Sequence, residues 1–452
     1  MSIFSNDDVQ FPPNDFIFGG TDRIFVRSLI GGGEIFLVNG VLLGVNYISG
    51  EPWAVPNAQI IRHNFTTMWL WEIIDGFKVN NLGHPLQGAM YFTAGRVNGF
   101  GFYESILFNA FGSFTWESIF ESNVASMNDF ITTVFASMSM GEMLYRLYLE
   151  ACTAGIPAPI AFFINPMAGF HRLVTGWEPP NYGRNLYYFQ ASIGTGFDHT
   201  YSSMEDRDDN SFSFQSFFVD LGFDVIYGNP FEQDTLIPFK HFELNCSFSL
   251  ILVNYIDVRI ISDGYIFSFS PVYSEKNRMS SGLSLHFDLF TKGDPDTEAP
   301  SSIDLFSNGL EWSIKYQHIF SEATKFELKY HLGVSYMGAT RFYNPDLMLK
   351  LNYFGAGLNS KLYLRLENAK VGTIENSTFG YSLWNFPNNY TITVDKGVIF
   401  WLFNETTYSY PVSDHLSMGV TGSLLFEWGY FNNFSNTLKS NKSLKIFIVW
   451  NL

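Results

Sequence analysis

Glu117 and Glu121 stand four residues apart in an aromatic stretch, a spacing that sets two carboxylates on one face of a helix with Ser113 a turn earlier. Like charges so placed repel unless a cation, a proton or an arginine intervenes. The pair therefore reads either as an acid/base or metal-holding pair, or as a polar seam against Arg96 or Arg146. No His-Glu-x-x-His or Glu-x-x-His phrase accompanies it, which argues against a metal. Glu142 precedes Arg146 by four residues, the favourable order for an ion pair within a helix, with Ser139 on the same flank. In so apolar a setting that pair is expected to be buried and joined by a further carboxylate from Glu117, Glu121 or Asp129. His84 precedes Pro85, a context that favours extended or turn backbone. No Ser/His/Asp constellation or Gly-x-Ser-x-Gly elbow can be assembled. His84, Glu117 and Glu121 remain the catalytic candidates, and Arg96, Asn128, Asp129, Glu142 and Arg146 form a structural or ligand-gripping polar cluster. Gly31-Gly32-Gly33 lacks the Lys-Ser/Thr of a phosphate loop, and Gly99-Phe100-Gly101 lacks the third glycine of a dinucleotide fingerprint. No cofactor is expected.

The elements that must position these residues are helices. One is expected over Phe102–Phe120 and a second, capped by Ser126 or Asn128, up to Ala154, where Gly155-Ile156-Pro157 stops it. A third covers Pro159 to Val174 with an interruption at Asn165-Pro166. Upstream, residues 1–61 read as an irregular lead, with the run from Ile35 to Val45 taken as a strand or re-entrant segment that could complete a sheet. After Trp177-Glu178-Pro179-Pro180 the apolar period changes from about 3.6 to 2, dividing a helical block (62–178) from a strand-rich remainder (179–452). Phe217, Val219, Leu221, Phe223 and Val225 alternate with Phe218, Asp220, Gly222 and Asp224. Phe326, Leu328, Tyr330 and Leu332 alternate with Glu327, Lys329 and His331.

Composition decides between the sheet architectures. The chain is 46% hydrophobic and 18% aromatic but only 15% charged, against about 25% charged in an average soluble domain. No run of 18 apolar residues lacks a polar interruption, so helical spanning is not expected. Alternating segments of about 9 to 16 residues, aromatic on one face and polar on the other, suit a transmembrane antiparallel β-barrel of about 12 strands (range about 10 to 16). Strands of a soluble sandwich run about five or six residues. A helical block would then plug or cap the lumen. A net charge of −17 without a basic cluster argues against nucleic acid. Cys152 and Cys246 fall in segments of different type and read as two small buried hydrophobes. The start has no basic region followed by an apolar one, so it does not read as a signal peptide, and export would require a trimmed start.

The phrases Asn81-Leu82-Gly83-His84-Pro85, Ala94-Gly95-Arg96-Val97-Asn98-Gly99, Trp116-Glu117, Ser126-Met127-Asn128-Asp129, Met140-Gly141-Glu142-Met143-Leu144-Tyr145-Arg146 and Asn165-Pro166-Met167-Ala168-Gly169 occur in fixed order. Together they resemble a bacterial family catalogued as domain of unknown function 3943, over about residues 62–176. The resemblance implies a protein of the bacterial outer membrane and leaves the activity open. Three functions compete: a non-enzymatic envelope or transport barrel with membrane lipids and a small solute or lipid as partners, a membrane-embedded enzyme acting on lipid or cell-wall material, and a soluble aromatic-rich binding protein. Convergence of Glu117, Glu121, His84 and Arg146 in one pocket would favour the enzyme; burial of Glu142 against Arg146 would favour the barrel.

Overall fold

The computed structural model describes residues 23–71, 76–204, 211–231, 234–251, 255–292, 302–344, 349–386, 396–432 and 435–451. These form two units, one holding the helices as far as Asn185 and one holding the strands from Leu186 onward together with the short segment 73–81.

The helical unit contains α1 (Arg23–Ile48), α2 (Ala58–Thr66), α3 (His84–Val97), α4 (Phe102–Thr115), α5 (Met127–Thr153), α6 (Ala158–Ile164) and α7 (Pro166–Thr175). Ser126 caps α5 by accepting from the Asp129 amide at 3.3 Å, and Asn165 caps α7 by accepting from the Ala168 amide at 3.1 Å. Gly176, at φ 68°, ends α7 in the left-handed conformation that glycine adopts without strain. Spanning 27 residues, α5 is about 40 Å long. It crosses α3 so closely that a Cβ on Gly88 would lie 2.4 Å from the Thr133 carbonyl oxygen. Gly88→Ala is expected to destabilise the unit by about 1–3 kcal/mol through overpacking against backbone, a loss readable as a lower melting temperature in detergent.

The fold departs from the sequence expectations at three places. The run from Ile35 to Val45 is the middle of α1, neither strand nor re-entrant, so among the described residues 23–61 the lead is largely helical and holds no barrel strand; residues 1–22 lie outside the described residues. The reason is a stripe at helical spacing, Gly31, Ile35 and Asn39, that packs on α3 and α4. Its polar member hid it among glycines. His84 is the first residue of α3 rather than extended, because a π-helical turn at Val79–Gly83 leads directly into the helix and Pro85 occupies a first-turn position where its missing N–H costs nothing. Glu117 and Glu121 do not share a helix face: α4 gives way to a π-turn at Trp116–Phe120, and Glu121 is extended at φ −126°, ψ 144°.

The strand unit is a closed antiparallel barrel of 12 strands, each paired with its chain neighbours. They are β1 (Leu186–Met204), β2 (Phe212–Tyr227), β3 (Phe242–Ile251), β4 (Tyr255–Tyr273), β5 (Asn277–Lys292), β6 (Ile303–Ser321), β7 (Thr324–Asn344), β8 (Leu349–Asn368), β9 (Gly372–Asn385), β10 (Gly397–Pro411), β11 (Leu416–Phe431) and β12 (Thr437–Asn451). Pairing of β1 with β12, from Gln190 opposite Asn451 to Met204 opposite Thr437, seals it. Closure leaves no unpaired edge, the condition for a sheet in hydrocarbon. β12 shows how alternation builds the wall: Leu444, Ile446, Ile448 and Trp450 are exposed on the outside, while Lys445, Phe447 and Val449 face the lumen. Strands of 10 to 21 residues exceed the expected lengths at the long end. Bulges at Tyr265/Phe267, Asn308/Gly309 and Ser335/Gly338 reverse the inward–outward parity, which explains why some segments alternate imperfectly in sequence.

Candidate functional site

Two sets of buried polar side chains carry the chemistry of this chain. In the helical unit, Glu142 is wholly buried, with Arg146 Nε 2.8 Å from Oε1 and Arg96 Nε 2.9 Å from Oε2. Arg96 also donates to the Phe100 carbonyl at 2.9 Å and lies 4.9 Å from the centroid of the Tyr145 ring. The expected ionic cluster forms around Glu142 and Arg146 with Arg96 as its third member; Asp129, a carboxylate expected there, stands by Asn128 and His84 at the start of α5. Helical rise is the reason: Asp129 precedes Glu142 on α5 by thirteen residues, or about 20 Å.

Asn128 and Asp129 belong to a second network at the start of α5. The Ser126 amide donates to Glu117 Oε2 at 2.8 Å, Asn128 Nδ2 donates to Asp129 Oδ1 at 2.8 Å, and His84 Nε2 lies 3.8 Å from Asp129 Oδ2. Glu117 therefore holds the entry into α5. Glu121, partly exposed, accepts from Asn123 at 3.1 Å. Glu117 and His84 meet the same network, whereas Arg146 and Glu121 have other partners in the contacts described. A third network joins α1 to α7: Glu34 Oε1 is 2.6 Å from His171 Nδ1, and Asn98 donates to Glu34 Oε2 at 2.8 Å. Nothing in the sequence marked Glu34, because it lies in the stretch that read as an irregular lead.

The second set lines the barrel. Alternation predicted polar residues inside; it could not say that they meet across the lumen. Arg259 on β4 reaches Glu405 on β10 at 2.8 Å, and in a ring of twelve these strands are six apart. Phe290 on β5 packs on Phe403 of β10 at 5.4 Å between ring centroids. Lys292 of β5 holds Asp198 of β1 at 2.5 Å and Asp257 at 3.2 Å. Lys361 of β8 sits 2.6 Å from Asp288 and 2.9 Å from Glu311, beside His286 and His331, all essentially without solvent exposure. Lys315 of β6 bridges Glu243 and Asp263, each at 2.9 Å. A cavity of about 210 Å³ borders the Arg259–Glu405 pair itself, with Tyr188, Asp224, Asn245, Lys329 and Lys445 also in its lining.

His286, Asp288 and Glu311 stand close enough to hold a cation. Lys361 already supplies a positive charge there, so the trio is accounted for by an ion pair. Cys152 and Cys246 are free, each partly buried, one in α5 and one in β3.

No curated protein matches the chain. Among solved structures it is similar to the NanC porin (11% identity, covering 58% of this chain and 100% of that one, TM-score 0.27). It is also similar to the Pseudomonas putida toluene transporter TodX (7% identity, 62% and 93%, TM-score 0.24) and to a Pseudomonas aeruginosa FadL homologue (8% identity, 58% and 90%, TM-score 0.24). Residues 69–167, inside the block that carries the sequence resemblance, match the family described as domain of unknown function (DUF3943).

Proposed function

We propose that this chain is a bacterial outer-membrane barrel that transports a small polar solute through a lumen held shut by its own side chains. The Arg259–Glu405 pair, spanning the full width of the ring, carries this reading. A twelve-strand wall falls between the eight strands that side chains just fill and the sixteen or more that leave an open channel. Whether such a barrel conducts is therefore set by its lining. Here the lining carries paired charge, which water and a charged or hydrogen-bonding solute can replace, beside an aromatic contact of Phe290 with Phe403 that is displaced less readily. The even strand number and outward apolar belt support outer-membrane placement.

The embedded-enzyme alternative calls for His84, Glu117, Glu121 and Arg146 in one pocket; His84 stands by Asp129, Glu121 by Asn123 and Arg146 by Glu142. In planar bilayers the intact protein is expected to show little steady conductance. Arg259→Ala combined with Glu405→Ala, which removes both charges together, is expected to produce discrete openings. A large ohmic conductance from the intact protein would sink the closed-lumen reading. A double variant that folds, by its heat-modifiable migration, yet stays silent would remove the passage itself.

A further inference from the structure

Beside its apolar clusters around Tyr91 and Tyr148, the helical unit buries polar side chains and exposes large apolar ones. Glu34, Asn39, Asn109, Glu117, Ser137 and Glu142 are buried, while Phe25, Leu107, Phe163 and Leu173 are 67%, 71%, 83% and 80% exposed. A helix packed in a water-soluble domain does the reverse, turning its apolar stripe to the core and its polar face outward. From this inversion we infer that the helical unit is itself embedded in hydrocarbon, its outer surface covered by lipid acyl chains. The inference concerns the helices alone and does not rest on the lumen reading.

Four observations point the same way. Several of the buried polar groups are joined within the unit: Asn39 donates to Thr115 Oγ1 at 3.1 Å, Asn109 donates to Ser137 Oγ at 2.8 Å, and Glu142 meets two arginines. Internal satisfaction is what a medium without water requires of polar side chains. The helices also meet at small residues, with Gly88 against Thr133, Gly112 against Tyr91 and Gly141 against Phe92 at Cβ approaches of 2.9 Å or less. Close crossings of that kind are the packing mode of helices in lipid. Next, the 25 residues from Ile24 to Ile48 make a helix long and apolar enough to cross a membrane, at about 38 Å against a hydrocarbon core of about 30 Å. Its interruptions Glu34 and Asn39 face the bundle, which is why the run escapes a search for uninterrupted apolar residues. Last, the exposed apolar side chains belong to α1, α3, α4, α6 and α7 alike, as Val45, Leu86, Leu107, Phe163 and Leu173 show. A protein partner covers one patch of about 800 Å²; only a surrounding solvent covers so many elements at once.

The test uses nitroxide spin labels in the full-length protein reconstituted into phosphatidylcholine vesicles. Leu107→Cys, Phe163→Cys and Leu173→Cys are made singly in a Cys152→Ala, Cys246→Ala background, with Glu51→Cys as a water-exposed reference. Relaxation enhancement by oxygen is expected to exceed that by a water-soluble nickel chelate several-fold at all three sites and to fall below it at Glu51→Cys. Ready access of the chelate to the three sites would place them in water and overturn the inference. Poor access to both reagents would mean that protein covers them, and would equally overturn it. Three independent sites guard against one variant failing to fold, and heat-modifiable migration reports the integrity of the barrel in each.

Discussion

Lys361→Met is expected to lower barrel stability by about 3–5 kcal/mol, because it leaves two fully buried carboxylates, Asp288 and Glu311, without their cation. Their mutual repulsion adds to the desolvation that the lysine now offsets. The midpoint of heat-modifiable migration, or of urea unfolding in detergent, should fall sharply. Lys325→Met, at an exposed pair with Glu367 separated by 3.9 Å, is expected to change the same midpoint by less than about 0.5 kcal/mol. Adding Asp288→Asn and Glu311→Gln to Lys361→Met should recover much of the loss, since the triple variant buries no net charge. Equal midpoints for Lys361→Met and Lys325→Met would show that water reaches the cluster and that the lumen is wetter than the described contacts imply.

In the helical unit the largest expected effect is that of Glu142→Leu. It removes the buried carboxylate that Arg96 and Arg146, both mostly buried, share. A loss of about 3–5 kcal/mol is expected, enough to expose the unit to proteolysis. Replacing all three by apolar residues of similar size, Arg96→Met, Glu142→Leu and Arg146→Met, should be close to neutral in stability. The comparison separates two roles. If the triple variant folds and keeps the function of the intact protein, the cluster is structural; if it folds and loses that function, the arginines are needed for more than packing. A single Glu142→Leu variant as protease-resistant as the parent would overturn the view that the cluster is shielded from water.

Much of this architecture was legible because two periods differ. Residues such as Leu221 and Asp220 alternate as they would in any half-buried sheet; the strand length, the aromatic outer face and the scarcity of charge are what point to a barrel in a membrane. The bounds of α5 and the break between α6 and α7 were legible from Ser126, Gly155 and Asn165-Pro166, since caps act locally. What escaped was non-local. Arg259 and Glu405 are 146 residues apart in the chain, and only ring closure makes them neighbours. Arg96 joins Glu142 because α3 crosses α5 at Gly88, a contact no spacing rule announces. The Glu117/Glu121 stripe failed for a local reason, since a π-turn rotates the second carboxylate away. α1 failed because Glu34 and Asn39, the residues that spoil its apolar run, are the ones turned inward.

Sealing β1 to β12 has a consequence for the order of events during folding. Gln190 pairs with Asn451, a separation of 261 residues (451 − 190), and every other strand pairing is between chain neighbours. Hairpins can therefore form as the chain emerges, but the seam cannot. Closed as one flexible loop, that separation would cost about 5 kcal/mol in chain entropy by the logarithmic rule; hairpins formed earlier lower the cost, but the seam's own pairing is gained only when the last strand arrives. Until then β1 and β12 are both open edges, ready to pair with any other strand they meet. The nascent barrel thus has a long interval in which aggregation competes with closure, and the stretch Thr437–Asn451 is the latch that ends it.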